Sequence, residues 1–421
     1  MNKIILLGIT GFLFTAVGYS QTLRITLTTN REIGQQINIR FEADPVDLYK
    51  ITVQGATQTM WGYTVDSPTI VIEGKVKRLS CRLGGLSSLD ISQNPELTFL
   101  DCSNNELTML DISKNTALEQ LWCDNNRLGR LDVSHNQNLT HLSCSNNGLK
   151  KLNVLKNNCL LSLSCSMNRL KQLNLTQNSQ LEYVDCGNSR LTTLAVASEH
   201  LINLICPNNK LKKINLSHNS SLNVLNCNHN NLTALDLSAN ENLITLDCGT
   251  NPLKRLDLSR NGHLKELLCK EADLRELDLS GNDSVVYLDC SDNRLTALDL
   301  SRLSQLRYMD CANNQLTSLN LAHNDQIKSI GVAGNAFSAC EIDNLFRQLP
   351  MQSAESGQIL LKYGDTSNPG TDQCRDYIAT EKNWQVILIF LEPCGDPDHG
   401  DHHYHYIPQP INNAGNYLCG E

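Results

Sequence analysis

Aromatic and charged residues are scarce in this chain of 421 residues, at 5% and 19%. The formal net charge is -9, which argues against nucleic acid or an anionic membrane as the main partner. The catalytic patterns G-x-S-x-G and H-E-x-x-H and the P-loop are absent. The carboxylates recur in columns, without an isolated pair suited to acid–base chemistry. The sequence therefore predicts a protein that is not an enzyme and needs no cofactor.

Long hydrophobic runs are also missing, with one exception near the N-terminus. Ile4 to Gly18 is a mostly apolar run of 15 residues, too short to span a bilayer comfortably. The small residues Gly18 and Ser20 suit cleavage before Gln21, so residues 1–20 are predicted to be a secretory signal. We therefore expect an exported protein that keeps no integral membrane segment after the signal is removed.

Cysteine, in contrast, is abundant and regularly spaced. Twelve of the 17 cysteines follow one another at steps of 21 residues, except for one step of 20 between Cys186 and Cys206. A fixed period of this length indicates a solenoid built from repeats. The series, called the cysteine ladder below, consists of Cys81, Cys102, Cys123, Cys144, Cys165, Cys186, Cys206, Cys227, Cys248, Cys269, Cys290 and Cys311.

Each repeat has two halves with different patterns. Leu97 to Leu107 reads L-T-F-L-D-C-S-N-N-E-L, which matches the leucine-rich repeat signature. Leu100 and Cys102 alternate with polar or exposed positions, which predicts a strand with one buried face. Asn105 follows this strand, and a buried asparagine side chain can satisfy backbone groups of the turn. The second half has the form L-D-[LIV]-S-x-N and predicts another extended segment.

The cysteine ladder has three chemical interpretations. A thiol packs as a small hydrophobic group. Neighbouring strands lie about 4.8 Å apart, inside the Cα range of a disulfide, but side chains in register point the same way and keep their Cβ atoms apart. Metal binding needs ligands that converge on one point. We therefore predict twelve reduced, buried and inert thiols, with a disulfide staircase or a metal site as the alternatives.

Together these features resemble bacterial leucine-rich repeat surface proteins of the internalin J type, whose 21-residue repeats carry a cysteine in the hydrophobic stack. The resemblance covers Leu79 to Val332. It departs at Ser189 and Ala272, which replace the turn asparagine, and at Val332, which replaces the cysteine of the last unit. It implies a curved solenoid with a parallel β-sheet on the concave face and extended segments on the convex face. It also implies a bacterial surface or extracellular protein that supports adhesion, biofilm, virulence or contact with host cells.

The sequence divides into five segments on these grounds. They are a signal peptide (1–20), an N-terminal β cap (21–78), a leucine-rich repeat array of about 13 units (79–337), an α/β C-terminal cap (338–392) and a tail rich in His, Asp and Pro (393–421). The two caps are expected to cover the hydrophobic ends of the solenoid.

The concave face offers the candidate recognition surface, because its outward positions vary while the core repeats. Exposed aromatic residues with polar neighbours suit protein or sugar binding, although they can also pack on cross-strand neighbours. The expected partner is a protein or glycan on host or neighbouring bacterial cells. A rigid envelope spacer and a metal- or glycan-binding protein remain as alternatives. The candidate residues are Phe99, Trp122, His141, Tyr183, Tyr287, Asp289, Tyr308 and Asp310.

Three further groups of residues carry chemical hypotheses. Export permits disulfides, and the candidates are Cys340 with Cys374 and Cys394 with Cys419. Four tail histidines are candidate metal ligands, although an unordered segment loses entropy on binding. They are His399, His402, His403 and His405. A column of aspartates in the second half-repeats is predicted to make local hydrogen bonds rather than bind calcium. It consists of Asp90, Asp111, Asp132, Asp236, Asp257, Asp278 and Asp299.

Overall fold

The array forms one continuous parallel sheet with a single short strand per unit. The computed structural model describes residues 23–60, 62–353, 355–393 and 404–408. Each strand of this concave sheet, called a rung below, pairs in register with the next. The rungs are Arg78–Ser80, Phe99–Asp101, Gln120–Trp122, His141–Ser143, Ser162–Ser164, Tyr183–Asp185, Asn203–Ile205, Val224–Asn226, Thr245–Asp247, Glu266–Leu268, Tyr287–Asp289, Tyr308–Asp310 and Ser329–Gly331. The predicted leucine-rich repeat solenoid is therefore confirmed.

Burial follows the alternation in the sequence. In the rung Gln120–Trp122 the central Leu121 is fully buried, as is Cys123, while the residues on either side of Leu121 are partly exposed. All twelve cysteines of the ladder have 0% exposure and are present as thiols. Each unit thus adds its own slice to a continuous apolar core, and the core grows by contacts between adjacent units.

Ten turn asparagines join the units to one another. In Asn230, the side-chain Nδ2 donates to the carbonyl oxygens of Cys227 in its own unit and Cys206 in the preceding unit, both at 3.0 Å. Its Oδ1 accepts from the backbone N–H of Leu211, also at 3.0 Å. Both ends of the amide are therefore used. The turn asparagines are Asn105, Asn126, Asn147, Asn168, Asn209, Asn230, Asn251, Asn293, Asn314 and Asn335.

A second column of buried asparagines closes the other side of the solenoid, and sequence reasoning did not assign it a role. In Asn240, Nδ2 donates to the carbonyl oxygens of Asn219 (2.8 Å) and Leu216 (3.2 Å) in the preceding unit. The Oδ1 atoms of this column accept no hydrogen bond from the described residues. These convex asparagines are Asn115, Asn136, Asn157, Asn178, Asn219, Asn240, Asn261, Asn282 and Asn324.

On the convex face, strand pairing within the array is confined to Gln172–Leu175 with Thr193–Val196. In the units with Asp or Asn at the polar position of this segment, that side chain bonds the backbone locally. Asp257 Oδ1, for example, accepts from the N–H of Ser259 at 3.0 Å. Asn153 makes the same bond to the N–H of Leu155 at 3.1 Å. The aspartate column thus makes the local bonds expected of Asx turns.

The single 20-residue step leaves the concave sheet undisturbed. The rungs at Tyr183, Asn203 and Val224 stay in register through the shortened unit. The missing residue falls on the convex side, where Ser198 stands in place of the asparagine. Its hydroxyl lies 2.7 Å from the carbonyl oxygen of Leu181 and 2.8 Å from that of Ser179. A shorter side chain therefore closes a shorter turn.

The N-terminal segment joins the array directly. Its strand Arg40–Glu42 pairs antiparallel with the first rung, Arg78–Ser80. Its strand Arg24–Thr29 pairs antiparallel with both Thr69–Glu73 and Leu86–Asp90. The remaining elements are the helix Pro45–Leu48 and the strands Gln36–Ile37, Thr52–Gln54, Ala56–Thr59 and Gly62–Val65.

The C-terminal segment extends the sheet beyond the last rung. The strand Gly357–Tyr363 pairs parallel with Ser329–Gly331 and with Trp384–Pro393. Ser338 accepts a hydrogen bond from the N–H of Glu341 and begins the α-helix Ala339–Gln348. The other elements are the strands Thr366–Ser367 and Tyr404–Pro408, the 3-10 turn Thr371–Gln373 and the α-helix Tyr377–Thr380.

The apolar spacing from Asp372 to Lys382 predicts a single helix, but the structure breaks it, because Cys374 has an extended backbone between the 3-10 turn and the short α-helix. At this break the buried carboxylate of Asp343 accepts from the backbone N–H and the Nε of Arg375, both at 2.6 Å. These bonds favour the break over a continuous helix.

The structure does not form the predicted bond between Cys340 and Cys374. The buried thiol of Cys374 donates to the carbonyl oxygen of Thr371 at 3.2 Å, whereas Cys340 is disulfide-bonded. The predicted pair of Cys394 and Cys419 lies outside the described residues.

Candidate recognition surface

Two columns of outward side chains cover the concave sheet. The outer column holds the first residue of each rung and the inner column holds the third. Because neighbouring rungs lie about 4.8 Å apart, a ligand along the sheet meets one residue from each column in every unit. The candidate residues all belong to these two columns.

Phe99 and Trp122, near the N-terminal end, form a packed stack. Their ring centroids are 4.8 Å apart in an edge-on arrangement. The guanidinium of Arg78 covers Phe99 at 4.0 Å from its ring centroid, and Arg78 Nε lies 3.3 Å from a carboxylate oxygen of Glu42. The stack therefore links the first rungs to the N-terminal strand Arg40–Glu42, and Phe99 is only partly exposed.

Tyr287 and Tyr308, near the C-terminal end, are more open. They are 40% and 43% exposed, and their ring centroids lie 6.3 Å apart. Asp289 and Asp310 occupy the inner column of the same two rungs. These four residues are called the aromatic–acidic patch below.

Each carboxylate of the patch is fixed by the turn that follows it. Asp289 Oδ1 accepts from the N–H of Ser291 at 3.0 Å, and Asp310 Oδ1 accepts from the N–H of Ala312 at 2.9 Å. A Cβ added to Gly331, on the next rung, would lie 2.5 Å from Asp310 Oδ1. A side chain at position 331 would therefore displace this carboxylate from its present position.

The electrostatics of the patch follow from partial burial next to like charge. Burial raises the pKa of Asp310 above its ordinary value, and the charge of Asp289 raises it further. Burial also raises the pKa of Tyr287, with Asp289 and Asp310 contributing to the same direction. Lys270 lies nearby as a partner of Asp292, with its Nζ 3.2 Å from Asp292 Oδ2. The patch thus combines two tyrosine rings with two held carboxylates.

The other predicted residues are dispersed. Tyr183 lies between Ser162 and Asn203 in the outer column. His141 follows Gln120 in that column, and its Nδ1 lies 2.9 Å from Thr140 Oγ1. Sequence reasoning missed Arg78 and Gly331, although extending the 21-residue register by one unit at each end of the array places both in these columns.

The described residues contain no group of three or more His, Cys, Asp or Glu side chains that could hold a metal ion. His399, His402 and His403 lie outside the described residues, and His405 falls in the strand Tyr404–Pro408. Within the described ranges, no helix is long and apolar enough to cross a membrane.

No family model matches the sequence, and no curated protein sequence matches it. Solved structures do match. The functional domain of InlJ from Listeria monocytogenes, which includes a cysteine ladder, is 27% identical, with coverage of 71% of this chain and 78% of that chain and a TM-score of 0.50.

Two further structures show the same fold at lower identity. The internalin InlF from Listeria monocytogenes is 18% identical, with coverage of 74% and 86% of the two chains and a TM-score of 0.55. A leucine-rich repeat protein of Leptospira interrogans is 22% identical, with coverage of 74% and 95% and a TM-score of 0.52. The chain is therefore a leucine-rich repeat solenoid that resembles, in its fold and in its buried cysteine ladder, the bacterial leucine-rich repeat surface proteins of the internalin J type.

Proposed function

We propose that this protein is exported or displayed on the bacterial surface and binds a partner protein through the aromatic–acidic patch of its concave sheet. Adhesion to host cells, or to neighbouring bacteria in a biofilm, is the role that such binding serves. The observation that carries the proposal is the pair Tyr287 and Tyr308, both about 40% exposed, beside Asp289 and Asp310 on adjacent rungs.

The chemistry of the patch suits a protein surface that presents Arg or Lys. Tyrosine rings supply a large contact area at a low cost in conformational entropy, and their faces attract cations. The carboxylates of Asp289 and Asp310 are held by backbone N–H groups, so they are oriented before a partner arrives. A guanidinium or ammonium group between the rings and the carboxylates would gain both interactions.

The array supplies the rigidity that this recognition needs. The patch lies on two neighbouring rungs, and asparagine side chains fix those rungs to each other and to the units on either side. Because each unit contacts only its neighbours, surface changes in the patch leave distant units unaffected. Binding and folding can therefore be tested separately.

The test is the double variant Tyr287→Ala, Tyr308→Ala in the full chain. Binding of the purified protein to cultured epithelial cells and to bacterial cells should weaken by about tenfold or more, as expected for two central aromatic contacts. The melting temperature should stay the same. The matched control is Tyr49→Ala, Tyr363→Ala, which removes two exposed tyrosines away from the patch. Unchanged binding by the first variant would favour a rigid envelope spacer instead.

A further inference from the structure

One flank of the array is strongly basic, although the chain has a net charge of -9. In five consecutive units, the six residues that start at the turn-asparagine position carry ten Lys or Arg residues and no Asp or Glu. All ten are exposed. The units keep one register, so these residues share one flank between the concave and convex faces. This basic strip consists of Arg127, Arg130, Lys150, Lys151, Arg169, Lys171, Arg190, Lys210, Lys212 and Lys213.

The cations of the basic strip are largely unpaired. Among the described residues, the only ion pair of the strip joins Arg127 to Glu106, at 3.8 Å. Farther along the same flank, Arg294 pairs with Asp273 at 2.7 Å. Positive charge therefore accumulates over five units, about 20 Å at one strand spacing per unit. Adjacent rows lie within one Debye length at physiological salt, so they attract a polyanion together.

The strip also has a concave shape. A groove of about 750 Å³ is lined by Arg127, Lys150, Arg169 and Arg190 together with backbone and amide groups. Gly148 occupies the position that holds Arg or Lys in the other four units, so the groove is open between Arg127 and Arg169. A second depression of about 420 Å³ is also lined by Lys150, together with the strip residues Lys151 and Lys171.

We propose that the basic strip is a second binding site, for a linear anionic polysaccharide that runs along the solenoid axis. Rows of cations recur at about 4.8 Å, a distance similar to the rise of one sugar residue in an extended chain. Arginine binds carboxylate or sulfate groups through two parallel hydrogen bonds. The amides of Asn146 and Asn188 line the same groove and suit sugar hydroxyl groups.

The composition of the strip disfavours nucleic acid. Proteins that bind single strands stack the bases on aromatic side chains, and none of the strip segments contains an aromatic residue. Recognition of the base sequence in duplex DNA generally requires an α-helix or a two-stranded β-ribbon that enters the major groove. This flank consists of turns, apart from the paired segments Gln172–Leu175 and Thr193–Val196.

The test uses the full chain and three probes, which are dextran sulfate, alginate and single-stranded poly(dT). We expect at least one of the two polysaccharides to bind, with an affinity that falls steeply between 50 and 200 mM salt, as it does for other polyanions. The triple variant Lys150→Gln, Arg169→Gln, Arg190→Gln should bind that polysaccharide about tenfold more weakly or worse. The variant Lys150→Arg, Arg169→Lys, Arg190→Lys keeps the charge and should lose much less affinity than the glutamine variant, although its two new lysines lack the paired hydrogen bonds of arginine.

The matched control is Arg255→Gln, Arg294→Gln, Arg302→Gln, which removes three ion-paired cations outside the strip. It should change the affinity by less than about twofold, because these cations already have partners. Equal weakening by both glutamine variants, absence of polysaccharide binding, or tighter binding to poly(dT) would each overturn the proposal. The variant at Tyr287 and Tyr308 should keep its polysaccharide affinity, so this site is tested independently of the patch.

Discussion

The side-chain amide of Asn230 lies 3.0 Å from the carbonyl oxygen of Cys206, a residue 24 positions earlier in the chain. The same amide reaches the carbonyl of Cys227 in its own unit. One side chain therefore holds the ends of two adjacent rungs together where the sheet ladder stops.

Replacing a turn asparagine should cost more stability than replacing a convex one. Asn230→Ala leaves the carbonyls of Cys206 and Cys227 and the N–H of Leu211 without this partner, and we expect a loss of about 3 kcal/mol in the free energy of unfolding. Asn240→Ala removes two bonds and an unpaired oxygen, so about 1–2 kcal/mol should be lost.

Urea denaturation followed by circular dichroism measures both losses. The exposed neighbour Asn231→Ala is the control and should be nearly neutral. Equal losses for Asn230→Ala and Asn240→Ala would contradict the stated difference between the two columns.

A cysteine of the ladder should tolerate alanine better than serine. Cys227 is fully buried among apolar residues. Cys227→Ala leaves a small cavity and should cost about 1 kcal/mol. Cys227→Ser places a hydroxyl in the apolar core and should cost about 2 kcal/mol or more. The unfolding midpoint in urea distinguishes the two, and a serine variant as stable as the alanine variant would show that the core accepts a polar group.

Thiol reactivity should separate Cys159 from the ladder. Cys159 is exposed, whereas burial raises the pKa of Cys206 and of Cys248 to about 12. The thiolate is the reactive form, so Cys159 should react quickly in the native protein at pH 8. The native variant Cys159→Ser should therefore show one fast-reacting thiol fewer than the wild type. The twelve ladder thiols should react only after denaturation, as counted with a chromogenic disulfide reagent. Rapid reaction of any ladder thiol in the native state would contradict the burial of the ladder.

The convex aspartates should give the protein an acid-sensitive stability. Hydrogen bonds from Ser238 and Ser259 lower the pKa of Asp236 and Asp257 in the folded state. Their contribution is therefore present above the ordinary aspartate pKa and is lost as the pH falls through the lower folded value. The variant Asp236→Asn, Asp257→Asn keeps the acceptor oxygen, as Asn153 does naturally, and should flatten the fall in melting temperature between about pH 5 and 2.

The matched control for this pH experiment is the variant Asp325→Asn, Asp365→Asn. It changes two exposed aspartates that do not belong to the aspartate column of the second half-repeats. This control should leave the pH dependence as steep as in the wild type. An equally flattened curve would assign the effect to net charge rather than to the turn bonds.

Asp310 should behave in the opposite way. Burial raises its folded pKa, so the ionised form costs stability at neutral pH, and that cost disappears as the pH falls through the folded value. Asp310→Asn keeps an acceptor for the N–H of Ala312 and should raise the melting temperature at pH 7 but not at pH 3. A lower melting temperature at pH 7 would mean that the charge itself stabilises the turn.

The period of the cysteines was sufficient to predict the solenoid, because register alone decides which side chains face the core. It also placed Tyr287 beside Tyr308 and Phe99 diagonally opposite Trp122. The break at Cys374 could not be read from local apolar spacing, since it depends on Arg375 meeting Asp343 across 32 residues. The basic strip was not predicted, because the net charge is a sum over the whole chain. Only sorting the charged residues by their position within the repeat shows that the lysines and arginines of five units lie on one flank.

Because the ladder thiols are buried, their rates of chemical labelling would report local opening of the solenoid. Each thiol is covered by the rungs on both sides, so a small alkylating reagent can enter only at an end or where two rungs have separated. The order in which the twelve positions become labelled would therefore trace breathing and end-fraying along the axis, one unit at a time.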